Sequence, residues 1–442
     1  MPRRRSPGQL ASPHPAGARG CGSIAAGAER GAAGTIVGLM VAPSRIDPAR
    51  PARSLILLLG AIMAFGPLSI DMYLPALPAI GRAFGADEAQ VQSTLSAYLL
   101  GLAVGQLLYG PISDRFGRRR PLLFGLVLFS LASAGCAAVA DIDHLIALRV
   151  LQALGGAAGM VMVRAVVRDL FDATAAARMY STLILIMGVA PILAPVLGGQ
   201  VLMWGDWHWI FAFLALYGVI CLVAVVRGLP ETMDAEIMRG NRARPLSAAA
   251  SDYWEVLSTR QFLAYALTGG SGLAALFAYI SGSPFVLIEL LGVSPGLYGV
   301  LFGVNAACFV LGSQVNARML RYRTPGELLP WTIGAFVIGT FLLVAVCASP
   351  LFGVASFIAT MAIVLFAVGC SLANTTALAL NPFVRQAGAA SAMLGTIQLG
   401  AGAVSGLIVG VSYNGSALPL GLVVAGCGVL AGVTLRTAPA QT

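Results

Sequence analysis

The chain has 442 residues, of which 58% are hydrophobic and only 10% are charged, and its formal net charge is +9. Soluble domains carry roughly 25% charged residues, so this composition excludes an ordinary soluble protein and indicates a polytopic membrane protein. The positive charge does not indicate a nucleic-acid partner, because every basic residue is Arg and the arginines cluster in alternate loops between apolar runs.

Residues 1–53 differ in composition from the rest of the chain. They are rich in Arg, Pro, Gly and Ala, and they lack the apolar stretch of a cleaved signal peptide. We predict that this segment is disordered and cytoplasmic. Translation could start as late as Met40, because Arg45, Arg50 and Arg53 suffice as a cytoplasmic anchor.

Twelve apolar runs follow, each long enough to cross a bilayer as a helix, which takes about 20 residues. Strands of a membrane barrel would be about ten residues long with weak alternation, so length favours helices. The runs lie near residues 54–80, 90–110, 120–140, 144–168, 178–203, 208–229, 260–288, 297–316, 327–348, 351–376, 388–411 and 415–435. We predict an all-α polytopic membrane protein with twelve transmembrane helices, numbered here as spans 1 to 12.

The loops predict the orientation in the membrane. Arginines follow the even-numbered spans, whereas the opposite loops carry mainly acidic residues such as Asp87, Asp141 and Glu289. Cationic loops stay in the cytoplasm, so both termini are expected there. Tryptophans 204, 207 and 209 flank an outward turn, as in an aromatic belt at the membrane surface.

Span 1 contains the stretch LSIDMYLPALP, in which Asp71 follows the charge-free residues 55–70. Asp71 is the only acidic residue that we place deep in a span. Such a charge costs several kcal/mol and faces the bundle interior, usually for a function. Burial disfavours its charged form, so Asp71 could take a proton from outside and release it inside. The alternative is a structural carboxylate neutralised by a buried partner. Pro75 and Pro78 can break the helix toward its outer end.

The loop after span 2 reads GPISDRFGRRRPLL. Its glycines permit a tight turn, and Asp114 can pair with a cation or with a helix N-terminus. Such a charge cluster could hold two halves of a protein together on the cytoplasmic side, or serve only as a positive anchor. The loop resembles the G-x-L-x-D-R-x-G-R-[KR] motif of the major facilitator superfamily. The matching residues are Gly110, Asp114, Arg115, Gly117, Arg118 and Arg119.

Span 4 contains LIALRVLQALGGAAG, which resembles the R-x-x-Q-G signature of the family's fourth helix, with Ala153 in the glycine position. Arg149 and Gln152 share one helix face. In the family, the first and fourth helices are neighbours that line the cavity. Arg149 is therefore the expected partner of Asp71, where it would tune or sense protonation of the carboxylate.

Spans 5 and 11 carry stripes of small residues, which allow close helix approach. The segment MGVAPILAPVLGG of span 5 resembles the family's antiporter signature, carried by Gly188, Pro191, Pro195, Gly198 and Gly199. In span 11 the stripe is Gly395, Leu399, Gly402 and Gly406. Ordinary helix packing accounts for part of this pattern. Its occurrence in equivalent spans favours a mobile interface between two halves.

Residues 230–258 form a charged, loop-like linker with a short amphipathic helix near 252–257. The linker separates six spans at 54–229 from six at 259–437. A shift of 202 positions places GLAVGQLLYGPISDR over GVNAACFVLGSQVNA and aligns Gly101 with Gly303. Chance similarity between glycine-rich spans is the alternative, but two related halves are typical of transporters. We predict two pseudo-symmetric six-helix bundles.

Polar and aromatic residues inside the spans are candidate substrate contacts, by hydrogen bonding, stacking or cation–π attraction. They are Tyr73, Gln152, Phe277, Tyr279, Asn305, Asn374 and Gln398. Helix-to-helix hydrogen bonds and core packing are the alternative roles.

The sequence indicates no cofactor, no metal and no enzymatic activity. Its three histidines are too widely separated for a metal site, and no G-x-x-x-x-G-K-[ST] motif binds nucleotide phosphates. The spans contain no paired acids and no nucleophile with a base. The proton gradient is the expected energy source.

Three segments, IDMYLPALP, WHWIF and AYISGSPFVL, look like the Bcr/CflA (bicyclomycin-resistance) group of drug/proton antiporters, and the resemblance covers about residues 54–436. It implies alternating access and proton-driven efflux of small, drug-like molecules by a monomer in the bacterial inner membrane. Some related antiporters carry a second acid earlier in span 1, where this chain has Met63. The alternative is a dedicated metabolite transporter, by export or symport, on the same fold.

Overall fold

The computed structural model describes residues 53–438 apart from 172, 244–245 and 384–385. Within this range, side chains are not described at 53, 173–178, 180–181, 184–185, 237, 241–243 and 246–249. The segment predicted to be disordered therefore lies, except for Arg53, outside the described residues.

Twelve helices of the described chain are long and apolar enough to cross a membrane, which confirms the all-α prediction. In order they are Ser54–Phe84, Glu88–Phe116, Arg119–Cys136, Ile142–Leu170, Ile186–Trp204, His208–Gly228, Arg260–Leu290, Pro295–Met319, Pro325–Cys347, Val354–Leu380, Ala387–Ser412 and Leu418–Thr437. Spans 2 and 4 are each 29 residues long and start earlier than predicted, because Asp87 and Asp141 cap their first turns.

Span 1 is interrupted twice. Its segments are Arg53–Met63, Phe65–Asp71, the 3-10 turn Leu74–Ala76 and Leu77–Phe84. Pro75 and Pro78 lie in the first turns of the last two segments, where a missing amide N–H is tolerated. The helix therefore ends at Asp71, as its sequence suggested, and restarts beyond a short turn.

The two sets of six spans repeat one packing pattern. In the first half, span 2 packs against span 4, and span 3 packs against spans 4 and 6. In the second half, span 8 packs against span 10, and span 9 packs against spans 10 and 12. The halves meet where span 2 contacts span 11 and where span 5 contacts span 8. These two pairs are equivalent under the repeat, so the pseudo-symmetric arrangement is confirmed.

Glycines bring some helix backbones into direct contact. Gly312 of span 8 faces the Phe366 carbonyl of span 10, and Gly369 of span 10 faces the Phe309 carbonyl in return. A side chain at either glycine would overlap the backbone of the partner helix. This crossing follows the small-residue rule for helix pairs in membranes.

The small-residue stripes lie at the seam between the halves. Gly188 of span 5 faces Val310 of span 8, and Gly395 of span 11 faces the Gln106 side chain of span 2. The stripes therefore bring the two halves into close contact. Their role as a mobile interface stays a prediction.

The linker is more helical than its sequence suggested. It forms linker helix 1 at Ala235–Ala243 and linker helix 2 at Leu246–Ser258, in place of one short helix near 252–257. Linker helix 2 begins with LSAAAS, whose alanines have the highest helix propensity and extend the helix upstream. Linker helix 1 packs against span 2, and linker helix 2 packs against spans 7 and 11.

Two of the three tryptophans of the predicted aromatic belt are exposed. Trp204 is 88% exposed and Trp209 is 64% exposed, but Trp207 is only 4% exposed. The Trp207 ring packs against Phe84 at 5.3 Å between centroids and stacks on His208. The belt prediction is wrong for Trp207, because this side chain fills the contact between spans 1 and 6.

The close crossing of spans 8 and 10 predicts that a leucine destabilises the protein more at Gly312 than at a helical glycine with free space around it. We expect Gly312→Leu to lower the free energy of unfolding by about 1–3 kcal/mol, because the side chain would have to force spans 8 and 10 apart. Gly334→Leu in span 9 is the control, since nothing lies within 4 Å of a Cβ at that position. Thermal unfolding in detergent measures both, and equal melting temperatures would contradict the close crossing.

Candidate functional site

Three charged side chains of the described chain are almost completely buried. Asp71 of span 1 is 4% exposed, Arg149 of span 4 is 0% exposed, and Arg118 between spans 2 and 3 is 3% exposed. A buried charge costs several kcal/mol unless it is paired or neutralised. The groups around these three side chains therefore show how each charge is paired or neutralised.

Aromatic rings enclose the guanidinium of Arg149. Its Cζ atom lies 4.2 Å from the ring centroid of Tyr98, 4.6 Å from that of Tyr73 and 5.8 Å from that of Phe211. The three rings come from spans 2, 1 and 6, so this aromatic cage forms only when the first half is assembled. Ring faces attract cations, and more strongly where water is excluded. The cage stabilises a buried cation without a carboxylate.

Hydrogen bonds complete one side of the cage. Nη1 of Arg149 donates to Oε1 of Gln152 at 2.6 Å, and Nε2 of Gln152 donates to the hydroxyl of Ser133 at 2.8 Å. The hydroxyls of Tyr73 and Thr94 are 2.7 Å apart, which orients the Tyr73 ring. Nε and Nη2 of Arg149 have no hydrogen-bond partner in the described part of the chain. Two donors of a buried cation are therefore unpaired.

Asp71 is not bonded to Arg149, since the only bonded guanidinium nitrogen donates to Gln152. Tyr98 is within electrostatic range of both charged groups. Asp71 is also within range of Tyr298 in span 8, across the seam between the halves. Tyr98 is thus the side chain that connects the two members of the predicted pair, and their direct pairing stays a prediction.

A second polar cluster lies in the second half. Nδ2 of Asn305 donates to the hydroxyl of Tyr279 at 2.9 Å, and the hydroxyls of Ser283 and Tyr298 are 3.1 Å apart. The Tyr279 ring stacks on Phe302 with centroids 5.5 Å apart. Oδ1 of Asn305 has no partner among the described residues. A buried acceptor is therefore free on this side of the seam.

The other predicted cavity residues lie apart from these clusters. Asn374 and Asn316 exchange two amide hydrogen bonds of 2.8 and 3.1 Å, which join spans 8 and 10. Phe277 packs against Gly402 of span 11. Gln398 is half-buried, and its Nε2 has no partner in the described chain. The structure does not gather the seven predicted residues into one cavity, because most of them bond to or pack against neighbouring helices.

The signature of span 5 forms close contacts with two other spans. Gly198 faces the carbonyl of Met72, directly after the acidic residue of span 1, and Gly199 faces the backbone of span 8. The helix continues through Pro191 and Pro195. Span 5 therefore contacts both the broken part of span 1 and the second half.

Arg118 organises the loop after span 2. Its Nε donates to Oδ2 of Asp169 at 2.8 Å, and its Nη1 donates to Oδ1 of Asp114 at 3.0 Å and to the hydroxyl of Ser113 at 2.7 Å. Burial acts to lower the pKa of Arg118, but the hydrogen bonds to Asp169 and Asp114 raise it above its ordinary value. The guanidinium stays charged and joins the ends of spans 2 and 4. Both spans belong to the first half, so the role of this loop in holding the two halves together stays a prediction.

Glu231, which the sequence predictions missed, belongs to the same loop cluster. Its Oε1 accepts from the backbone N–H of Arg118 at 2.8 Å, and its Oε2 accepts from the backbone N–H of Arg119 at 3.1 Å. The carboxylate thus caps the positive end of span 3. Nη2 of Arg119 donates to the Val226 carbonyl at 2.8 Å, and Arg115 is half-buried. The sequence signal was an acid directly after span 6, but nothing linked it to a loop so distant in sequence.

The two glycines of the loop play different parts. Gly117 has φ of 84°, a conformation that favours glycine, and a side chain there would overlap the Glu231 carboxylate. Gly110 lies inside the helix Glu88–Phe116, so its predicted role in a turn is wrong. A Cβ at Gly110 would lie 3.6 Å from the Tyr253 hydroxyl. This glycine therefore leaves room for linker helix 2.

Sequence comparisons agree with the fold. A model of the Major Facilitator Superfamily matches residues 57–434. The chain is 36% identical over 376 residues to the uncharacterized MFS-type transporter YdgK of Bacillus subtilis, covering 84% of this chain and 91% of that one. It is 29% identical to the bicyclomycin resistance protein homolog of Haemophilus influenzae, covering 85% and 93% of the two chains. It is 31% identical to a chloramphenicol resistance protein of Pseudomonas aeruginosa, covering 86% and 88%.

Solved transporter structures share the architecture. A bacterial homolog of the human lysosomal transporter Spinster superposes with a TM-score of 0.70 at 15% identity, covering 88% of this chain and 96% of that one. The xylose transporter XylE from E. coli superposes with a TM-score of 0.66 at 14% identity, covering 87% and 96%. At these identities the likeness concerns the fold alone.

Two carboxylates bind Arg118, and their different exposure predicts that removing their charges lowers the free energy of unfolding by unequal amounts. We expect Asp169→Asn to lower the free energy of unfolding by about 2–3 kcal/mol, because the side chain is only 15% exposed and pairs with a buried cation. Asp114→Asn is the matched control, and its cost should stay below about 1 kcal/mol because Asp114 is 52% exposed. Melting temperatures in detergent compare the two, and a larger loss for Asp114→Asn would contradict this ranking.

Proposed function

Since the chain belongs to the Major Facilitator Superfamily, we propose that it exports small, drug-like molecules across the bacterial inner membrane in exchange for protons. The observation that carries this proposal is Asp71, the one buried carboxylate of the described chain, which shares the neighbour Tyr98 with the buried Arg149. The names of the bicyclomycin and chloramphenicol resistance relatives support export of drug-like compounds.

Asp71 is the proposed proton carrier. A carboxylate inside a span costs several kcal/mol when charged and far less when protonated. Asp71 therefore binds a proton while the cluster is closed to water, and releases it when the cluster opens toward the cytoplasm. Its place at the end of Phe65–Asp71 supports this role, because a break in span 1 lets the outer segment move separately from the inner one.

Arg149 is the proposed sensor of that proton. While Asp71 is protonated, the aromatic cage and Gln152 hold the guanidinium without a counter-charge. When Asp71 loses its proton, the carboxylate attracts the two unpaired nitrogens of Arg149. Tyr98, which interacts with both groups, has to adjust at the same time. The charge of Asp71 is thereby linked to the packing of spans 1, 2 and 4.

The conformational change proceeds at the seam between the bundles at 54–229 and 259–437. The contacts of span 2 with span 11 and of span 5 with span 8 loosen on one side of the membrane at a time. Asp71 is within range of Tyr298, so its charge affects both halves. The loop cluster around Arg118 keeps the cytoplasmic ends of spans 2 and 4 together during this movement.

The substrate is proposed to bind between the halves. Asn305 and Gln398 each carry an unpaired polar atom in the described chain and are the favoured contacts. Gln152 and Asn374 already bond to neighbouring side chains, which favours a structural role for both. The protein is proposed to act as a monomer, with both termini in the cytoplasm, without a cofactor and without enzymatic activity.

The central test replaces Asp71 by asparagine. We expect Asp71→Asn to reach the membrane but to lose pH-driven transport, because the amide cannot carry a proton. Uptake of labelled chloramphenicol into everted vesicles with an imposed pH gradient should fall to the level of vesicles without the protein. Resistance to chloramphenicol and bicyclomycin in a pump-deficient bacterium should fall in parallel.

Glu289→Gln provides the control for this test, because Glu289 is a partly exposed acid at the predicted outer end of span 7. It should leave pH-driven uptake largely intact. Full proton-driven uptake by Asp71→Asn would refute the carrier role. Resistance that a protonophore leaves unchanged would refute proton-driven export itself.

The aromatic cage predicts that Arg149 cannot be replaced by lysine. We expect Arg149→Lys to reduce pH-driven uptake about tenfold or more, because lysine lacks the planar group that stacks on the rings and bonds to Gln152. Arg168→Lys at the end of the same helix is the control, since that side chain is 65% exposed. Unchanged uptake by Arg149→Lys would show that a positive charge alone is sufficient.

A further inference from the structure

Span 2 contains a proline in a position that costs a backbone hydrogen bond. Pro111 lies inside the helix Glu88–Phe116, which continues to its end. Proline has no amide hydrogen, so the carbonyl four residues earlier, that of Leu107, loses its normal helical donor. An acceptor in a partly buried position then needs another donor.

A hydroxyl from the linker supplies this donor. Tyr253 of linker helix 2 donates its hydroxyl hydrogen to the Leu107 carbonyl at 3.0 Å. Gly110 leaves room for the tyrosine, because a Cβ there would lie 3.6 Å from its hydroxyl oxygen. The sequence GP at 110–111 thus provides both the free acceptor and the space for its partner.

Linker helix 2 is otherwise attached to the second half. It packs against spans 7 and 11, and Val256 is completely buried. Oε2 of Glu255 accepts a hydrogen bond of 2.6 Å from Gln386, directly before span 11. The bond from Tyr253 to Leu107 therefore joins a helix held by the second half to a span of the first half.

A second bond of the same kind lies one turn away. The hydroxyl of Thr396 in span 11 lies 3.1 Å from the Ala103 carbonyl of span 2 and 2.9 Å from the Ala392 carbonyl of its own helix, so its one hydrogen is shared between two acceptors. The carbonyls of Ala103 and Leu107 are four residues apart and lie on one face of the helix. Both lie within hydrogen-bond distance of a hydroxyl from the other side of the seam. Through these two carbonyls, this face of span 2 contacts side chains from the other side of the seam.

We propose that Tyr253 is a positioning residue that latches linker helix 2 to the proline-exposed carbonyl of span 2 and closes the cytoplasmic part of the seam. The latch rests on the proposed export function only in that transport requires the seam to open. Its strength comes from Pro111, because the bond satisfies an acceptor that has lost its helical donor. A movement that separates spans 2 and 11 breaks it.

The latch is tested on the full-length protein in lipid nanodiscs by hydrogen–deuterium exchange. Tyr253→Phe removes only the hydroxyl, and we expect amide exchange in residues 246–258 to rise roughly two- to tenfold, as loss of one hydrogen bond predicts. Tyr322→Phe is the control, because this tyrosine is 86% exposed near the predicted cytoplasmic end of span 8. No rise above this control would overturn the proposal.

A double variant tests whether the Leu107 carbonyl is the partner. Pro111→Ala restores an amide hydrogen that can bond to this carbonyl, and it favours the helix. In the Pro111→Ala background, Tyr253→Phe should therefore change exchange much less than in the native chain. An equal rise in both backgrounds would mean that the tyrosine acts elsewhere, and would overturn the proposal.

Transport kinetics separate a latch from a merely structural contact. Tyr253→Phe should change the turnover of chloramphenicol uptake by roughly two- to tenfold at unchanged amounts of folded protein, and the change should largely disappear in the Pro111→Ala background. The exchange measurement needs neither substrate nor proton gradient. It therefore tests the bond from Tyr253 to Leu107 even if the transport assays refute the proposed export function. Altered exchange with unaltered turnover would show a contact that the cycle does not use, and would overturn the latch role.

Discussion

The structure of the first half depends on how it keeps the charge of Arg149 away from water without a carboxylate bonded to it. The guanidinium needs ring faces and one amide oxygen, and these groups come from different helices. Spans 1, 2, 4 and 6 must therefore converge at one depth of the membrane. The break after Asp71 contributes to this convergence, since the turn that follows carries Tyr73 to the guanidinium. The side chains that pack the first half are thus the ones to which we assign the proposed proton chemistry.

The seam between the halves combines close backbone packing with weak polar bonds. Glycines of spans 5 and 11 allow helices of the two halves to approach closely. Single hydrogen bonds between the halves lie at different depths along the seam. Toward the predicted outer end, Ser281 donates to Gln92 at 2.9 Å, and Arg82 approaches Glu289 at 3.5 Å on the surface. The Arg82–Glu289 pair lies at the surface and contributes at most about 1 kcal/mol, whereas the bond between Ser281 and Gln92 is buried. Contacts of this kind fit the proposed opening of the seam at one end at a time.

Periodicity and composition predicted the spans, the break in span 1 and the placement of Arg149 with Gln152, because each depends on residues close together in the sequence. They did not predict that Tyr98 would form part of the cage, or that Glu231 would cap span 3. Those contacts join positions far apart in the chain, and one sequence does not specify which apolar faces meet. The predicted belt failed at Trp207 for the same reason, since a tryptophan near a membrane surface can face lipid or a neighbouring helix.

The two buried arginines, Arg118 and Arg149, differ in how many of their donor atoms are hydrogen-bonded. Arg118 bonds to Asp169, Asp114 and Ser113, so its main donors are used and any movement would leave buried partners unpaired. Arg149 has two donor nitrogens without a partner among the described residues, and Tyr98 beside it also interacts with Asp71. A fully bonded network resists change, whereas an incompletely bonded cation responds to any new negative charge nearby. The hydrogen bonds of Arg118 therefore suit a fixed contact, and the surroundings of Arg149 fit its proposed role as a sensor of charge.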